Sequence, residues 1–412
     1  MKFTEREHDL SLALYTIRRE IQSFHMEVDL HVYGRDWAAS SVCLSKNGTT
    51  SERGCGKGFD KQAIASGLFE AFEHWVSNYE QFKYPTRFTN LKEIKSSMSE
   101  RSYDIHLPEI CSNGLSILEQ YYGNWLEFSN TTNDKFIYSP LFVHDGHASS
   151  KFLQEKDPAF EKLNINSFPF LRQNNGIAIG MSKNEAVLHG LNEQIERFSK
   201  SSFFFRQLRQ DSPDATIVPE WQLEQLFPDL YKKLIQLTNQ QILVIHLKNA
   251  FNHPCFVAVC GVKGLRYPLI GSGASLSAFC ALERALTELL QLQYLSQDIS
   301  LFAEYLIDDE RMTKLAAHID GYNELRMFQL KLPVETVDLN TNNLSVEEQV
   351  KYIIRCLDEH FVDVYFRDLY SSRISTISAV QTLIPKFSYF YLIEDGLLTD
   401  PSSMYTTARG PL

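Results

Sequence analysis

Several common signals are missing from this chain of 412 residues, and each absence argues against a class of protein. The seven cysteines are scattered and form no CxxC pair, so a disulfide framework or a zinc ribbon is not expected. No run of about 18 apolar residues occurs, so no membrane span is predicted. The formal net charge is −11 and basic residues form no block, which gives nucleic-acid binding little electrostatic support.

Targeting and nucleotide-binding signatures are missing too. The first residues, MKFTEREHDLSL, lack the basic region and apolar region of a signal peptide, and together with reduced cysteines this predicts a cytoplasmic protein. The GxxxxGK[ST] sequence of P-loop proteins does not occur. Hydrophobic residues nevertheless make up 44% of the chain, which is enough for a large core.

The segment AVLHGLNEQIERF, residues 186–198, is typical of an amphipathic helix. It contains three charged residues among mostly apolar ones. Glu193 and Glu196 lie three residues apart and share a helix face, and Arg197 lies four residues after Glu193. For one such helix alone, a structural salt bridge on the surface is a sufficient explanation. The rest of the chain, however, repeats the pattern.

Two further segments have small, apolar and acidic residues at the same spacing. AIASGLFEAFEH, residues 63–74, has two glutamates at equivalent positions, 123 residues earlier in the chain. ALERALTELLQ, residues 281–291, is a looser copy that lies 95 residues later and has glutamine at the second position. The residues at these positions are Glu70, Glu73, Glu193, Glu196, Glu288 and Gln291.

A glycine-rich stretch precedes each copy: GCGKG at 54–58, NNGIAIG at 174–180 and IGSGAS at 270–275. We expect these glycines to form tight turns, after which the start of a helix directs free N–H groups towards an anion. Burying several carboxylates without partners is unfavourable, so cations are expected where the helix faces meet. The pattern therefore predicts divalent metal and an anion between three helices, with Mg²⁺ the simplest choice.

These blocks resemble the YcaO family, whose members combine three motifs in the same order. The first is a Gly-Lys-Gly turn before E-x-x-E, present as GKG at 56–58. The second is NG-x-A-x-G before E-x-x-E-R, present as NGIAIG at 175–180, and the third is E-R-x-x-x-E-x-x-Q, present as ERALTELLQ at 283–291. VYFRDL at 364–369 and AVQTLIPKF at 379–387 also resemble the C-terminal strands of the family.

The resemblance implies an α+β YcaO-type ATP-binding fold, in which repeated glycine-turn and helix units pack on mixed β-sheets. ATP and Mg²⁺ would lie between the helices. By motif position, the expected metal ligands are Glu70, Glu73, Glu193, Glu196 and Glu288. The expected nucleotide contacts are Lys57, Ser66, Glu70, Asn175, Glu193, Arg197, Arg284 and Gln291. No low-complexity linker divides the chain, so we expect one YcaO-like catalytic unit over 1–412, with approximate sub-regions 1–150, 151–300 and 301–412.

The activity that the resemblance implies is ATP-dependent activation of peptide backbone amides. A Cys, Ser or Thr side chain, or a sulfide, adds to the amide carbon, the oxyanion is phosphorylated, and phosphate leaves to give an azoline or a thioamide. Azoline-forming cyclodehydration of a ribosomally made precursor peptide is favoured. Thioamidation with a sulfur-delivery partner and a nucleotide-binding accessory subunit without its own turnover are the alternatives.

The expected partners are the precursor peptide and a separate protein that presents it. The chain is too short to combine a YcaO domain with a full E1-like leader-binding domain, so an E1-like or a sulfur-delivery protein is expected as a partner. A homodimer is compatible with the sequence. Two departures from the family stand out: His74 follows the first E-x-x-E where arginine is frequent, and the final TTARGPL lacks the P-x-P-x-P tail of many azoline-forming members, which leaves thioamidation open.

Outside the repeats, periodicity predicts a few elements. Helices are expected at 9–25 and 345–360, the second capped by Ser345. Strands are expected at 241–249 and 255–262, the latter with one buried face and with its two cysteines on opposite faces. The polar segments 92–104 and 151–166 are interpreted as loops or insertions, and HDGH at 144–147 as a loop sequence without a metal.

Overall fold

The computed structural model describes residues 5–48, 50–80, 86–97, 103–105, 122–130, 132, 135–141, 144, 175–208, 214–239, 241–261, 269–297, 331–339 and 343–387. Helices and sheets are both extensive in these ranges, which confirms the predicted α+β class. No helix in this part of the chain combines the length and the apolar character needed to cross a bilayer.

The helices and strands are numbered in chain order. The α-helices are α1 (Leu10–Ser23), α2 (Lys61–Trp75), α3 (Leu91–Ser97), α4 (Lys183–Leu208), α5 (Glu220–Leu226), α6 (Pro228–Thr238), α7 (Ala278–Leu295) and α8 (Val346–Glu359). The strands are β1 (Glu27–Tyr33), β2 (Trp37–Lys46), β3 (Thr50–Phe59), β4 (Thr86–Asn90), β5 (Tyr103–Ile105), β6 (Tyr122–Asn130), β7 (Phe136–Pro140), β8 (Ile177–Gly180), β9 (Ala215–Ile217), β10 (Ile242–Leu247), β11 (Cys255–Cys260), β12 (Leu269–Ala274), β13 (Tyr365–Ser371) and β14 (Ser378–Leu383).

Within the described residues these strands form three sheets. The first has the order β1–β2–β3, and the second has the order β12–β11–β10–β9. The third has the order β5–β7–β6–β13–β14–β8, with β4 also paired to β6. The pairing is antiparallel except between β5 and β7, so the third sheet is mixed, as the sequence predicts, and the other two are antiparallel.

Each predicted repeat consists of a strand and the helix that follows it: β3 with α2, β8 with α4, and β12 with α7. The expectation that all the leading glycines form turns was wrong, because most of them lie inside the strands. Their missing Cβ lets the helix pack directly on the strand backbone. A Cβ at Gly56 would lie 1.9 Å from the carbonyl oxygen of Ala63, and one at Gly273 would lie 2.2 Å from that of Ala281. Gly176 does lie in a turn, with φ of +70°.

The strand β11 is buried on both faces, although the sequence predicts one buried face. Helix α4 packs on one side and α7 on the other. Cys255 lies in the core that α4 shares, and Cys260 lies in the core that α7 shares, so their predicted placement on opposite faces is confirmed. The sheet is therefore the middle layer between two of the three repeat helices.

Most of the remaining elements agree with the sequence. Helices α1 and α8 confirm the two predicted amphipathic helices, and Ser345 and Glu348 form a reciprocal capping box at the start of α8. Strands β10, β11, β13 and β14 are also confirmed. The interpretation of 92–104 as a loop was wrong, since α3 and β5 lie there, and the segment 151–166 lies outside the described residues.

A substitution at Gly56 tests the close packing of strand and helix. We expect Gly56→Ala to lower the free energy of unfolding by about 3 kcal/mol, because the added Cβ meets the backbone of α2. Gly48→Ala is the matched control: its Cβ meets nothing within 4 Å, so only the cost of its left-handed φ, about 1 kcal/mol, is expected. Equal losses for both variants in urea unfolding would contradict this packing.

Candidate functional site

The three repeat units contact one another in a cycle. Helix α2 packs against β8 of the second unit, α4 packs against β12 of the third, and α7 packs against β3 of the first. Each helix therefore contacts both its own glycine strand and the glycine strand of the next unit. This closed arrangement brings the acidic positions of three distant sequence segments together.

The second acidic position of each helix makes the contact with the next strand. In α2, Glu73 Oε2 accepts a hydrogen bond from the backbone N–H of Ile179 at 3.0 Å. In α4, Glu196 Oε1 accepts one from the hydroxyl of Ser272 at 2.7 Å. Each carboxylate thus links two units through a neutral donor.

Glutamine occupies this position in α7 for a physical reason. Gln291 donates a hydrogen bond from Nε2 to the backbone carbonyl of Cys55 in β3. The partner is an acceptor here, whereas Ile179 and Ser272 are donors, so an amide fits and a carboxylate does not. The glutamine is therefore the residue that closes the cycle, and its departure from the glutamate pattern is explained by its partner.

The first acidic position of each helix faces its own unit or a cation. Glu70 accepts a backbone hydrogen bond from Cys55, and Glu193 accepts one from Gly176. Glu193 Oε1 also lies 2.6 Å from Arg197 Nη2, the ion pair that the spacing predicts. In the third unit, Glu288 forms an ion pair with Lys57 of the first unit.

Burial, and then interaction with one another, raises the pKa values of the carboxylates. Burial is the main cause: it raises the pKa of Glu193 to about 7 and those of Glu73, Glu70 and Glu196 above their ordinary range. Like charge adds to it. Glu193 and Glu70 raise the pKa of Glu73, and Glu288 raises that of Glu196. The five predicted metal ligands therefore form one electrostatic cluster, as the sequence pattern requires.

The donor chemistry of this cluster suits magnesium and phosphate. Carboxylate oxygens are the ligands that Mg²⁺ prefers, and a cation would offset both the burial and the mutual repulsion of the acids. In the described residues, no three acidic, histidine or cysteine side chains converge closely enough to ligate one ion. The acids bond instead to Lys57, Arg197, Ser272 and the Ile179 amide. Metal binding therefore requires some of these bonds to be exchanged for ligand bonds.

Arg284, an expected nucleotide contact, is held by a residue that the sequence reasoning missed. Its Nη2 pairs with the carboxylate of Glu5, and its Nη1 donates to the carbonyl of Ala274 at 3.0 Å. Glu5 is 6% exposed and also accepts hydrogen bonds from Ser275 Oγ and from Asn192 Nδ2. The N-terminal segment is thus part of the wall between the second and third units.

The residues after Glu5 fix this segment to the start of α4. The backbone N–H of Glu7 donates to Glu185 Oε1 at 2.6 Å, and Arg6 Nη1 lies 3.6 Å from Glu185 Oε2. Nothing in the sequence of 5–9 signals these contacts, because the segment has no periodicity and its partners lie more than 170 positions away.

The remaining predicted residues lie at the edge of the cluster. Ser66 is half-buried on α2, one turn before Glu70. Asn175 is buried just before β8, and its carbonyl accepts a hydrogen bond from Gln381 at 3.4 Å. In the HDGH sequence, His144 is buried and bonded to Ser139 Oγ at 2.7 Å, which fits a structural role, and 145–147 lie outside the described residues.

The pKa of Glu193 gives a test of the cluster. Its folded value of about 7 lies above its ordinary value, so the stability of the folded state falls as the pH rises from below 4.5 to above 7. Glutamine cannot titrate, so without divalent cations Glu193→Gln should gain stability relative to the unmodified protein between pH 5 and pH 8. We expect a gain of about 2 kcal/mol, because one pKa unit corresponds to about 1.4 kcal/mol and the side chain is only partly buried. A difference in urea unfolding free energy that does not change with pH would show that Glu193 is not in such an environment; the exposed Glu347→Gln is the control.

Comparison with known proteins identifies the family to which the chain belongs. A sequence model described as YcaO cyclodehydratase, ATP- and Mg²⁺-binding, matches residues 55–388. The chain is 24% identical over 397 positions to the ribosomal protein S12 methylthiotransferase accessory factor YcaO of Escherichia coli (strain K12), with 84% of this chain and 59% of that protein covered.

Two solved structures have a similar fold. The structure of YcaO from Methanopyrus kandleri bound with AMPPCP and Mg²⁺ matches with a TM-score of 0.65 at 18% identity, covering 96% of both chains. A heterocyclase in complex with substrate and cofactor matches with a TM-score of 0.65 at 17% identity, covering 93% of this chain and 53% of that one. The chain thus spans little more than half the length of the curated relative and of the heterocyclase. It belongs to the YcaO cyclodehydratase family, which is described as binding ATP and Mg²⁺.

Proposed function

We propose that this protein uses ATP and Mg²⁺ to activate backbone amides of a ribosomally made precursor peptide, with azoline-forming cyclodehydration of Cys, Ser or Thr as the reaction. The observation that supports this most strongly is the cluster of mutually repelling, partly buried carboxylates contributed by three helices, with lysine and arginine at its edge. Such a cluster is suited to several divalent cations and a polyphosphate.

The proposed roles divide the site between metal and nucleotide. The glutamates that would hold Mg²⁺ are Glu70, Glu73, Glu193, Glu196 and Glu288. The residues that would contact the nucleotide are Lys57, Ser66, Asn175, Arg197, Arg284 and Gln291, with Glu70 and Glu193 shared. Bound Mg²⁺ would supply positive charge that offsets the charge of the phosphates and of the glutamates.

The ion pairs of the structure indicate how the site would accept its ligands. Lys57 neutralises Glu288, and Arg197 neutralises Glu193. When these glutamates ligate metal, the two cationic side chains become available to phosphate oxygens. The positive charge of the metal and the negative charge of the phosphates offset each other, so the total charge of the site changes little. Arg284 stays oriented by Glu5 and Ala274, so its remaining N–H groups are fixed in direction.

The proposed reaction proceeds by addition, phosphorylation and elimination. The side-chain nucleophile of the peptide releases its proton to solvent and adds to the preceding amide carbon, and the amide oxygen takes the negative charge. That oxygen attacks the γ-phosphorus of ATP, and ADP leaves. The C–O bond then breaks with phosphate as the leaving group, and loss of the amide proton forms the C=N bond. During these steps the residues of the site would align the γ-phosphate and stabilise its charge.

Two other functions of the same site are distinguished by experiment. Thioamidation would use a sulfide from a delivery protein in place of the peptide side chain. An accessory role without turnover is favoured by one observation, the description of the Escherichia coli relative as an accessory factor. In each case we expect a partner protein, E1-like for azolines or sulfur-delivering for thioamides, to present the peptide.

Paired substitutions test the site. We expect Glu193→Ala with Glu196→Ala to abolish Mg²⁺-dependent ATP binding measured by isothermal titration calorimetry, because both glutamates belong to the central cluster. The control pair, Glu347→Ala with Glu359→Ala, removes two exposed glutamates of α8 and should bind as the unmodified protein does. Undiminished binding by the first pair would refute the site.

Product mass tests the reaction. With a precursor peptide and its partner protein, loss of one water per modified residue indicates an azoline, and exchange of oxygen for sulfur indicates a thioamide. ATP binding without turnover in the presence of both would support the accessory role.

A further inference from the structure

Two histidines, His189 and His253, differ in their hydrogen bonding. His253 is buried and bonds through Nε2 to Asn192 Oδ1 at 3.0 Å. His189, on α4, has a buried Nδ1 with no partner among the described residues. Buried polar atoms in proteins are nearly always paired, so an exception calls for a cause.

The position of His189 places it at the candidate site. It lies four residues before Glu193 on α4, so the two side chains share one face of the helix. The charged groups that act on it are Arg284 of α7, Arg6 of the N-terminal segment, Lys57 of β3 and Arg197 of α4 itself. The N-terminal segment and each of the three units therefore contribute one cation that acts on this histidine.

These surroundings determine the state of the imidazole. Burial, followed by the four cations, lowers the pKa of His189 well below its ordinary value, so the ring is neutral at physiological pH. A neutral imidazole has one N–H donor and one acceptor nitrogen. The cations around His189 favour a bound anion at this place. Such an anion would accept a hydrogen bond from the N–H of the imidazole.

We propose that His189 donates a hydrogen bond from Nδ1 to a phosphate oxygen of the nucleotide. This contact rests on the proposed function, since it requires the nucleotide to bind between the three helices. The cations that surround His189 are those assigned to the phosphates, with Arg6 in addition, whereas a contact to the base or ribose would not need them. The YcaO motifs of this chain do not include position 189.

The experiment compares nucleotide binding by variants of two histidines. Dissociation constants for ATP and for adenosine, both with Mg²⁺, are measured by calorimetry for the unmodified protein, His189→Ala, His189→Asn and His189→Gln. We expect His189→Ala to weaken ATP about tenfold, the effect of one lost hydrogen bond to a charged group, and to leave adenosine unchanged. His189→Asn should retain most of the affinity, because its amide nitrogen lies near the position of Nδ1, and His189→Gln should not.

Stability provides the readout that separates a ligand contact from a structural role. Without ligand, His189→Ala should lower the melting temperature less than His253→Ala does, because Nδ1 of His189 makes no hydrogen bond that the substitution would remove. The control His253→Ala removes the bond to Asn192, so it should lower the melting temperature and leave ATP affinity within about twofold.

Several results would overturn the contact. His189→Ala could bind ATP as tightly as the unmodified protein does, or it could lose as much affinity for adenosine as for ATP. His189→Gln could also retain more ATP affinity than His189→Asn. These results can be distinguished from a failure of the proposed function, because in that case the unmodified protein itself would not bind ATP with Mg²⁺.

Discussion

The mutual repulsion of partly buried carboxylates is the constraint on which the rest of this structure depends. Burial, and then mutual repulsion, raises the pKa values of the glutamates of α2 and α4, and the glutamate of α7 forms an ion pair with the first unit. A fold does not concentrate negative charge in this way for stability alone, because each buried acid adds a desolvation cost. The functional state is therefore expected to contain cations. The family to which the chain belongs is described as binding ATP and Mg²⁺.

The scaffold holds these acids together by close contact between backbones. Glycines in β3 and β12 let α2 and α7 lie directly on their strands, at distances that a single Cβ would prevent. The same helices then reach the strand of the next unit through Glu73, Glu196 and Gln291. Three local units thus form one site, although their acidic residues lie up to 218 positions apart, from Glu70 to Glu288.

Much of this could be predicted because the site is built from a repeated local pattern. The spacing of Glu193, Glu196 and Arg197 identified one helix face, and two further copies predicted a site where three such faces meet. The role of the glycines was misjudged, since turns and close strand–helix packing both favour glycine in sequence. Glu5 and His189 were missed because their importance lies in partners from distant segments, which leave no periodicity in the chain.

The most direct test of the central claim is a crystal structure of the protein with a non-hydrolysable ATP analogue and Mg²⁺. The account predicts metal ions bound by glutamates from at least two of the helices α2, α4 and α7, with Lys57 and Arg197 turned from Glu288 and Glu193 to phosphate oxygens. A nucleotide bound elsewhere, or these two ion pairs intact beside a nucleotide without metal, would contradict it.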